Sequence, residues 1–390
     1  MNRRNISIRN RGRDIAPLLI GPSHPTRVVA NIGLSPKIST IEMELKKAQI
    51  AVEMGADIIA DHTITSKVED MLECLLSNVD VPVSTVPYYE VGVKALKERG
   101  SIVKAQTKDI FNIIEKQANM GIDVMTIHAS LTKGILDLVK KSRRIIKIPS
   151  RGGAWVAAYM ISNKAENPMY ENLDQILDIL KSYNVTLSLG PSVRPGSIVD
   201  GLDEAVIMEI VMQKEIVEKA LNKGVQVIVE YGGHLRADVI PILVNLVKKL
   251  CNEVPLRTLI TATDVAVAFD HIAAAIASAI AAMNGAEILV AISPAEHLGL
   301  PRLEDFREGI AAFKVASHIA DIVKHNDLER DKLMSTARKR RDWESMWKYA
   351  IYGSEARNLF RKLQRGLMES DHCTMCGPLC AHRIVEEFMG

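Results

Sequence analysis

The chain has 390 residues, of which 47% are hydrophobic and 25% are charged, as is typical of a globular protein. Its net charge of +2 gives no reason to expect a nucleic acid or a membrane surface as a partner. A membrane-spanning helix needs about 20 apolar residues, and the longest apolar run, IAAAIASAIAAM from Ile272, is shorter than that.

The amino-terminal segment, residues 1–27, is polar and basic, and it lacks the apolar stretch of a secretory signal. We expect it to be an arm that packs on the rest of the protein, and we expect a cytoplasmic location. Disulfides are then not expected, because a reducing compartment disfavours them. Cys74 and Cys251 lie in apolar stretches and are predicted to be buried.

Nine short β-branched runs alternate with amphipathic stretches between residues 28 and 325. They are RVVANIG, ADIIAD, VPVSTVP, VMTIHAS, IIKIPSRGG, VTLSLGPS, VQVIVEYGGH, LRTLITATD and EILVAISPAEH. This alternation predicts an α/β fold built from βαβ units, and eight such units close a (β/α)8 TIM barrel of roughly 250 residues. One run must then be misread or lie outside the barrel. An open doubly wound sheet is the second possibility, but no G-x-G-x-x-G loop follows the first run.

Residues 326–390 are charged and show a helical pattern without a strand. We interpret them as a helical tail, with Trp343, Trp347 and Phe360 as packing anchors. The chain is thus divided into an arm at 1–27, a catalytic barrel at 28–325 and a tail at 326–390.

Polar residues recur at or just after the carboxyl ends of the predicted strands. In a parallel barrel these positions converge on one mouth, where active sites of this fold are built. The residues are Asn31, Asp61, His128, Ser150, Arg151, Arg194, Glu230, His234, Asp264 and His297. His62, beside Asp61, could also face the mouth.

Two kinds of site are consistent with these residues. Neutral imidazoles from two strand ends, His234 and His297, could hold a divalent metal such as zinc, although either could serve only in hydrogen bonding. The strings SRGG from Ser150 and RPGS from Arg194 combine backbone N–H groups, a hydroxyl and a guanidinium, which suits a phosphate.

The tail ends in CTMCGPLC, which places three cysteines, Cys373, Cys376 and Cys380, in a C-x2-C-x3-C pattern. Three thiolates could bind three irons of a cubane cluster and leave the fourth open. They could instead bind zinc with His372 or His382 as the fourth ligand, or bind no metal.

In order and spacing, several strings resemble the phosphomethylpyrimidine synthase (ThiC) family of thiamine biosynthesis, which consists of non-classical radical S-adenosylmethionine enzymes. The strings are ANIG, TVPYY, TIHAS, SRGG, RPGSI, E-x3-H, DHI, EHLGLP and CTMCGPLC, and the resemblance covers roughly residues 15–385. It implies a homodimer of (β/α)8 barrels, with the tail exchanged between subunits. It also implies a [4Fe–4S] cluster, S-adenosylmethionine and an external electron donor.

The reaction that the resemblance implies converts 5-aminoimidazole ribotide to 4-amino-5-hydroxymethyl-2-methylpyrimidine phosphate, with loss of formate and carbon monoxide. The motifs would assign the cluster to Cys373, Cys376 and Cys380, and a metal, usually zinc, to His234 and His297. They would assign ribotide contacts to Asn31, Tyr89, His128, Ser150, Arg151, Gly152, Ser192, Arg194 and Glu230, with Glu230 and His128 as the catalytic pair.

The sequence also departs from the family pattern. Pro191 stands where the family has an acidic residue, Ala60 where it has Met, and Arg257 where it has Tyr. EGPGH has become EYGGH, and the cysteine motif is one residue shorter than the usual C-x2-C-x4-C. Two alternatives are therefore kept: 5-hydroxybenzimidazole synthase, which would start from the same ribotide, and a non-catalytic paralogue that binds ribotide or zinc.

Overall fold

The computed structural model describes residues 4–364 and 374–389. The chain divides into two compact units, residues 1–321 and 322–390. The predicted arm therefore belongs to the same compact unit as the strands, and the division at residues 27 and 325 stays a prediction.

The strands of the described residues, in chain order, are β1 Ile6–Ile8, β2 Leu18–Ile20, β3 Arg27–Ile32, β4 Ile58–Asp61, β5 Val83–Thr85, β6 Val124–Ile127, β7 Thr186–Leu189, β8 Val227–His234, β9 Leu256–Thr261 and β10 Ile288–Val290. The helices of the first unit are α1 Ile41–Glu53, α2 Val68–Asn78, α3 Pro87–Arg99, α4 Thr107–Met120, α5 Lys133–Lys141, α6 Arg151–Asn163, α7 Pro168–Glu171, α8 Leu173–Tyr183, α9 Glu204–Lys223, α10 Ile240–Leu250, α11 Asp270–Met283 and α12 Leu303–His325, whose last residues pass into the second unit. A 3-10 turn covers Ile102–Lys104.

Strands β3 to β10 form a closed parallel barrel in which each strand pairs with its successor and β10 pairs with β3. Helices follow the strands in alternation, so the predicted (β/α)8 barrel is confirmed and the open doubly wound sheet is wrong. Eight of the nine predicted strand runs are the barrel strands. Since parallel strands present their carboxyl ends at one face, loops after β3 to β10 share one mouth.

The run IIKIPSRGG is the one that was misread. Residues 145–150 form no strand, and α6 begins at Arg151. The Asp200 carboxylate accepts hydrogen bonds from the backbone N–H of Ile145 (2.7 Å) and Ile146 (3.3 Å), so these groups are not available to a neighbouring strand. The side chain of Ser150 then caps α6 by accepting from the N–H of Gly153.

The arm closes the amino-terminal end of the barrel. Strands β1 and β2 pair as an antiparallel hairpin, with Ile6 opposite Ile20. Ile6, Ile8 and Ile20 are buried in one cluster with residues from the first half of the barrel strands, among them Ile58 and Ile288. These residues of the predicted arm therefore pack on the barrel and remove apolar surface at this end from water.

Helix α9, the longest helix whose bounds lie within the first unit, spans 20 residues. Asp203 caps its first turn by accepting from the N–H of Val206, and Gly224 ends it in the left-handed conformation with φ of 82°. Its buried face includes two polar residues, Glu209 and Gln213, in addition to its apolar ones. These two residues face the barrel strands.

The two remaining cysteines of the first unit differ in burial. Cys251 is buried as predicted, and burial raises the pKa of its thiol to about 12. The prediction for Cys74 is wrong, because Cys74 is only half-buried. It lies beside the buried face of α2, which is made by Val68, Met71, Leu72 and Leu75.

The second unit is helical as predicted. Its helices beyond α12 are α13 Glu329–Arg340, α14 Trp343–Tyr349, α15 Gly353–Gln364 and α16 Ala381–Met389, with a 3-10 turn at Gly377–Leu379. Trp343, Trp347 and Phe360 form one aromatic cluster with ring centroids 4.5 to 6.0 Å apart. Among the described residues, no helix is long and apolar enough to cross a lipid bilayer.

Candidate active site

A cavity of about 350 Å³ opens at the carboxyl ends of the barrel strands. We call it the central cavity. Polar side chains from several strand ends and loops line it: Asn31, His62, Tyr89, Thr126, His128, Ser150, Arg151, Arg194, Glu230, Arg257, Ser293 and Glu296. Among them are seven of the nine residues that the sequence assigns to ribotide. Gly152 and Ser192, the other two, do not line the cavity and are buried.

Asp61 does not reach the central cavity, contrary to the expectation that it faces the mouth. Asn31 of β3 lines the cavity and pairs in register with Ala60 of β4, so Ala60 points inward and Asp61 points outward. The Asp61 carboxylate instead accepts from the hydroxyl of Thr63 at 2.6 Å. Burial raises its pKa to about 7. His62, the next residue, does line the cavity.

Glu230 is held on one side by three donors. Its Oε1 atom accepts from the hydroxyls of Thr126 (2.8 Å) and Ser188 (2.6 Å) and from Nη1 of Arg257 (3.3 Å). Burial alone would raise the pKa of Glu230, but Arg257 and the two hydroxyls outweigh burial and hold the pKa below its ordinary value. Glu230 is therefore an ionised acceptor, and no described group donates to its Oε2 atom.

Arg257, which stands where the family has Tyr, places a positive charge in the central cavity. Its side chain is 5% exposed and points into the barrel beside Glu230, with which it pairs in register across β8 and β9. The charge of Arg257 is thus matched by Glu230 within the cavity. Within the part of the chain that the structure describes, the cations of this cavity without a carboxylate partner at hydrogen-bond distance are Arg151 and Arg194.

His128 is a neutral, buried imidazole. Burial lowers its pKa to about 4. The Ser150 hydroxyl lies 3.2 Å from Nε2 of His128 and already accepts from the N–H of Gly153. The hydroxyl can donate to Nε2 or accept from it, and the ring hydrogen lies on Nδ1 in the first case and on Nε2 in the second. That Nδ1 atom has no partner among the described residues.

The two glycines of SRGG allow α6 to start against the strand ends. A Cβ atom on Gly152 would lie 2.3 Å from Cε1 of His128, and one on Gly153 would lie 2.6 Å from Cα of Ser192. Only glycine allows this approach. It brings the first turn of α6, whose leading N–H groups have no partner within the helix, to the cavity wall.

Aromatic and cationic side chains form the wall beside this helix. The guanidinium of Arg151 lies 5.3 Å from the ring centroid of Tyr89, a cation–π contact. The ring centroid of Tyr89 also lies 5.4 Å from that of Trp155 and 5.9 Å from that of His62, the latter in an edge-to-face arrangement. Burial, together with Arg257 and Arg151, lowers the pKa of His62 to about 3, so that this ring is neutral.

His234 and His297 line a second cavity of about 620 Å³, which we call the side cavity. It shares Arg194 and Glu296 with the central cavity, so the two cavities adjoin. The two imidazole centroids are 5.4 Å apart. His297 has a left-handed backbone with φ of 64°, which is rare for a residue other than glycine.

A carboxylate stands behind each of these imidazoles. Nδ1 of His234 lies 2.6 Å from Asp264, and Nδ1 of His297 lies 3.1 Å from Asp270. This leaves Nε2 of each ring free to bind a metal, in the arrangement usual for zinc-bound histidines. No group of three or more His, Cys, Asp or Glu side chains that could enclose a metal occurs among the described residues. The pair therefore fits a metal with open positions rather than a closed structural site.

Several of these contacts were not predicted. Thr126 and Ser188 are small polar residues inside apolar strands. Thr126 of β6 precedes His128 by two, and both residues line the central cavity. Asp270 lies within the string DHI but was given no role. Alternation along the strands was the available signal for Thr126, whereas nothing in the sequence links Asp270 to His297.

Two of the three tail cysteines lie in the described part of the chain, and Cys373 lies outside it. Cys376 precedes the 3-10 turn Gly377–Leu379 and Cys380 follows it, so one tight turn separates the two thiols. Both thiols are free, and Cys376 is exposed. The backbone carbonyl of Cys380 accepts from the N–H of Ile384 and starts α16.

The sequence matches the model of the Radical SAM ThiC family over residues 2–387. It is 41% identical to the phosphomethylpyrimidine synthase of Methanocaldococcus jannaschii, over 98% of this chain and 90% of that protein. It is also 41% identical to the phosphomethylpyrimidine synthase of Thermoanaerobacter sp. strain X514, over 97% of this chain and 88% of that one.

Among solved structures, the chain is similar to dihydropteroate synthase from Stenotrophomonas maltophilia. The identity is 14% and the TM-score is 0.47, over 78% of this chain and 95% of that chain.

Proposed function

The chain belongs to the radical SAM ThiC family, and from this we propose that it converts 5-aminoimidazole ribotide to 4-amino-5-hydroxymethyl-2-methylpyrimidine phosphate. The observation that carries the proposal is the layout of the central cavity, which joins a phosphate-binding set to an oriented carboxylate. Residues after the strands supply the phosphate-binding set, and β8 supplies the carboxylate of Glu230. The phosphate of a phosphorylated aminoimidazole nucleoside would match the first, and its amino group would match the second.

The phosphate would bind at the first turn of α6. Helix N-termini attract anions because their N–H groups and the helix dipole both favour negative charge. Arg151 is the first residue of α6, and Arg194 lines the same cavity. Two guanidinium groups can hold phosphate oxygens in a fixed geometry. The hydroxyl of Ser150 already contacts His128 and the N–H of Gly153, so we assign to Ser150 the role of holding this turn in place.

The aminoimidazole ring would lie deeper, among the strand residues. Glu230 is ionised, and its Oε2 atom is the acceptor that would take a hydrogen bond from the amino group of the ring. His128 is neutral, and its Nδ1 atom, which has no partner among the described residues, would form a hydrogen bond with the substrate. Asn31 and Tyr89 would complete the wall around the ring. Glu230 and His128 are the proposed catalytic pair.

His234 and His297 would hold a divalent metal, with zinc as the expected ion. Their carboxylate partners fix the ring orientations and leave Nε2 of both rings for the metal. Because the side cavity adjoins the central one through Arg194, a metal here would lie beside the ribotide site.

Cys373, Cys376 and Cys380 would hold a [4Fe–4S] cluster, which when bound supplies the electron that cleaves S-adenosylmethionine. The free thiols of Cys376 and Cys380 fit this donor set. The turn between them holds three residues, and Gly377 at φ of 52° reverses the chain there. A homodimer, an external electron donor and a cytoplasmic location complete the proposal on family grounds.

The decisive experiment is an anaerobic incubation of reconstituted protein with ribotide, S-adenosylmethionine and reductant, with products identified by mass spectrometry. We expect 5′-deoxyadenosine and the pyrimidine phosphate. Cys376→Ala should abolish 5′-deoxyadenosine formation and leave the barrel folded, whereas the matched variant Cys74→Ala should keep the activity.

Three other outcomes are informative. Formation of 5-hydroxybenzimidazole would assign the sister activity to this chain. Absence of 5′-deoxyadenosine from an iron-loaded protein would reject the radical mechanism. A colourless protein with stoichiometric zinc, still able to bind ribotide, would point to the non-catalytic paralogue.

A further inference from the structure

Glu209 is a buried carboxylate that lines neither cavity. It lies on α9, in the helix layer around the barrel, and it is fully excluded from solvent. A carboxylate in such a place is costly unless donors surround it. Its donors all come from the mouth of the barrel.

Four donors meet the two oxygens of Glu209. Oε1 accepts from the N–H of Ser192 (2.6 Å) and the hydroxyl of Ser130 (2.9 Å). Oε2 accepts from the N–H of Val193 (3.0 Å) and the hydroxyl of Tyr231 (3.3 Å). The donors lie on β8 and in the loops that follow β6 and β7, which are neighbouring strands of the barrel.

Each of these donors lies within two positions of a residue of the central cavity. Ser130 is two residues after His128, Val193 immediately precedes Arg194, and Tyr231 immediately follows Glu230. Since a residue in a strand points opposite to its neighbour, Tyr231 points out to Glu209 while Glu230 points into the barrel. A single carboxylate thus contacts the backs of three adjacent segments of the site.

The same helix fixes the Val193 peptide from its other side. Nη1 of Arg144 donates to the carbonyl of Val193 at 2.7 Å, and Nε of Arg144 donates to Asp203 at 2.7 Å. Asp203 is the residue that caps α9. The N–H and the C=O of Val193 are therefore both tied to α9, through Glu209 and through Asp203.

We propose that Glu209 is a positioning residue for the ribotide site, which sets the places of Arg194, His128 and Glu230 through the loops and strand that carry them. This inference rests on the proposed function, because it assigns these three residues to ribotide. The carboxylate acts from behind the site and touches no substrate.

Both oxygens of Glu209 must accept hydrogen bonds to satisfy this donor set. Two of the four donors are backbone N–H groups, which cannot rotate to become acceptors. A Gln side chain in the same place could keep Oε1 on Ser192 and Ser130, but its amide NH2 would then face the N–H of Val193. Tyr231 could turn its hydroxyl to accept, whereas Val193 could not. Glu209→Gln therefore disturbs the Ser192–Val193 peptide, which lies one residue before Arg194.

The test is calorimetric titration of 5-aminoimidazole ribotide into the reconstituted protein and its Glu209→Gln variant. We expect the variant to bind ribotide about tenfold more weakly and to turn over about 100-fold more slowly, because a misplacement near 1 Å costs about that much in rate. Iron and zinc contents should stay as in the unmodified protein.

The matched control is Asp123→Asn. Asp123 is also fully buried and also accepts two backbone N–H groups, from Asn10 (2.7 Å) and Val83 (2.9 Å), but it lies before β6 at the opposite end of the barrel. A merely structural role for Glu209 predicts that both variants lose thermal stability and that both keep the ribotide affinity. That result would overturn the inference.

Tyr231→Phe decides the question if Glu209→Gln does not fold. It removes the longest of the four contacts to Glu209, together with the 3.4 Å contact of the same hydroxyl with the carbonyl of Val206, and leaves the Glu209 side chain in place. A smaller loss of ribotide affinity, about twofold to threefold as expected for one weak hydrogen bond, would support the inference. An unchanged affinity would overturn it. Absence of ribotide binding by the unmodified protein would instead reject the proposed function, and this inference with it.

Discussion

The two ends of the barrel treat polar groups in opposite ways. At the amino-terminal end, Asp123 accepts two backbone N–H groups, and the isoleucines of the β1–β2 hairpin fill the space between the strands. At the carboxyl end, three donors crowd one oxygen of Glu230, and Nδ1 of His128 has no partner among the described residues. One end is filled mainly by apolar side chains of the chain itself, and the other presents polar groups that a ligand could bind.

The comparison shows how one fold separates stability from function. Saturated polar groups and buried apolar side chains stabilise a structure without any ligand. Polar groups held in place without partners cost free energy in the empty protein and return it on binding. Changes at the two ends should therefore affect different measurements, and this can be tested.

The largest effect is expected at the mouth, from Glu230→Gln. The amide keeps the shape of the side chain. It removes the negative charge beside Arg257, and it also removes the carboxylate oxygen that is proposed to accept a hydrogen bond from the ribotide. We expect kcat/KM for ribotide to fall by about 1,000-fold, within the range for loss of a positioned acid–base group. Steady-state assays of product formation measure it.

Glu287→Gln is the control for this change, because Glu287 is a buried carboxylate paired with Lys248 before β10, at the opposite end. The activity of the Glu287→Gln variant should match that of the unmodified protein. A Glu230→Gln variant within tenfold of full activity would remove Glu230 from the proposed site.

The next effect is expected at the amino-terminal end, from Ile8→Ala. Ile8 is fully buried in the cluster that joins the hairpin to the barrel. Truncation of a buried Ile should lower the free energy of unfolding by about 3 kcal/mol, because contacts are lost and a cavity remains. Urea denaturation measures this change. Ribotide affinity of the folded variant should be unaltered.

Leu19→Ala serves as its reference, since Leu19 lies in the same hairpin and is 45% exposed. It should change stability by less than about 0.5 kcal/mol. Equal stability of the two variants would mean that the hairpin does not complete this end of the barrel.

The smallest effect is expected from Asp270→Asn, which should change binding at the side cavity and leave binding at the central cavity unaltered. Asp270→Asn removes the charge behind His297 while His297 itself remains, so we expect the dissociation constant for zinc to rise by about tenfold. A competition titration with a chelating dye measures it, and Asp238→Asn, a change at an exposed position, is the control. Equal zinc affinities of the two variants would show that Asp270 does not support the proposed metal site. Both variants should keep the ribotide affinity of the unmodified protein.

The sequence predicts the barrel well because its signal is local. β-branched runs and amphipathic stretches alternate, and each marks its own element. The exception, IIKIPSRGG, has the composition of a strand, but its N–H groups are taken by Asp200, some 55 residues away in the sequence. A contact of that kind leaves no trace in a local pattern.

The site was predictable where position along a strand decides which residues face the cavity. Asn31, His128 and Glu230 were found in this way. Asp61 was misassigned because the strand's last residue faces outward, a matter of one position in register. Glu209 could not be found, since it resembles any other acidic residue of a helix until the fold brings three segments to it.

The aromatic residues give each compact unit its own optical signal. The chain has three tryptophans, and Trp155 lies 5.4 Å from Tyr89 on the wall of the central cavity. Trp343 and Trp347 lie together in the aromatic cluster of the second unit. Tryptophan fluorescence can therefore follow ligand entry into the barrel and the melting of the helical unit as separate events, once Trp155 or the tail pair is replaced by phenylalanine.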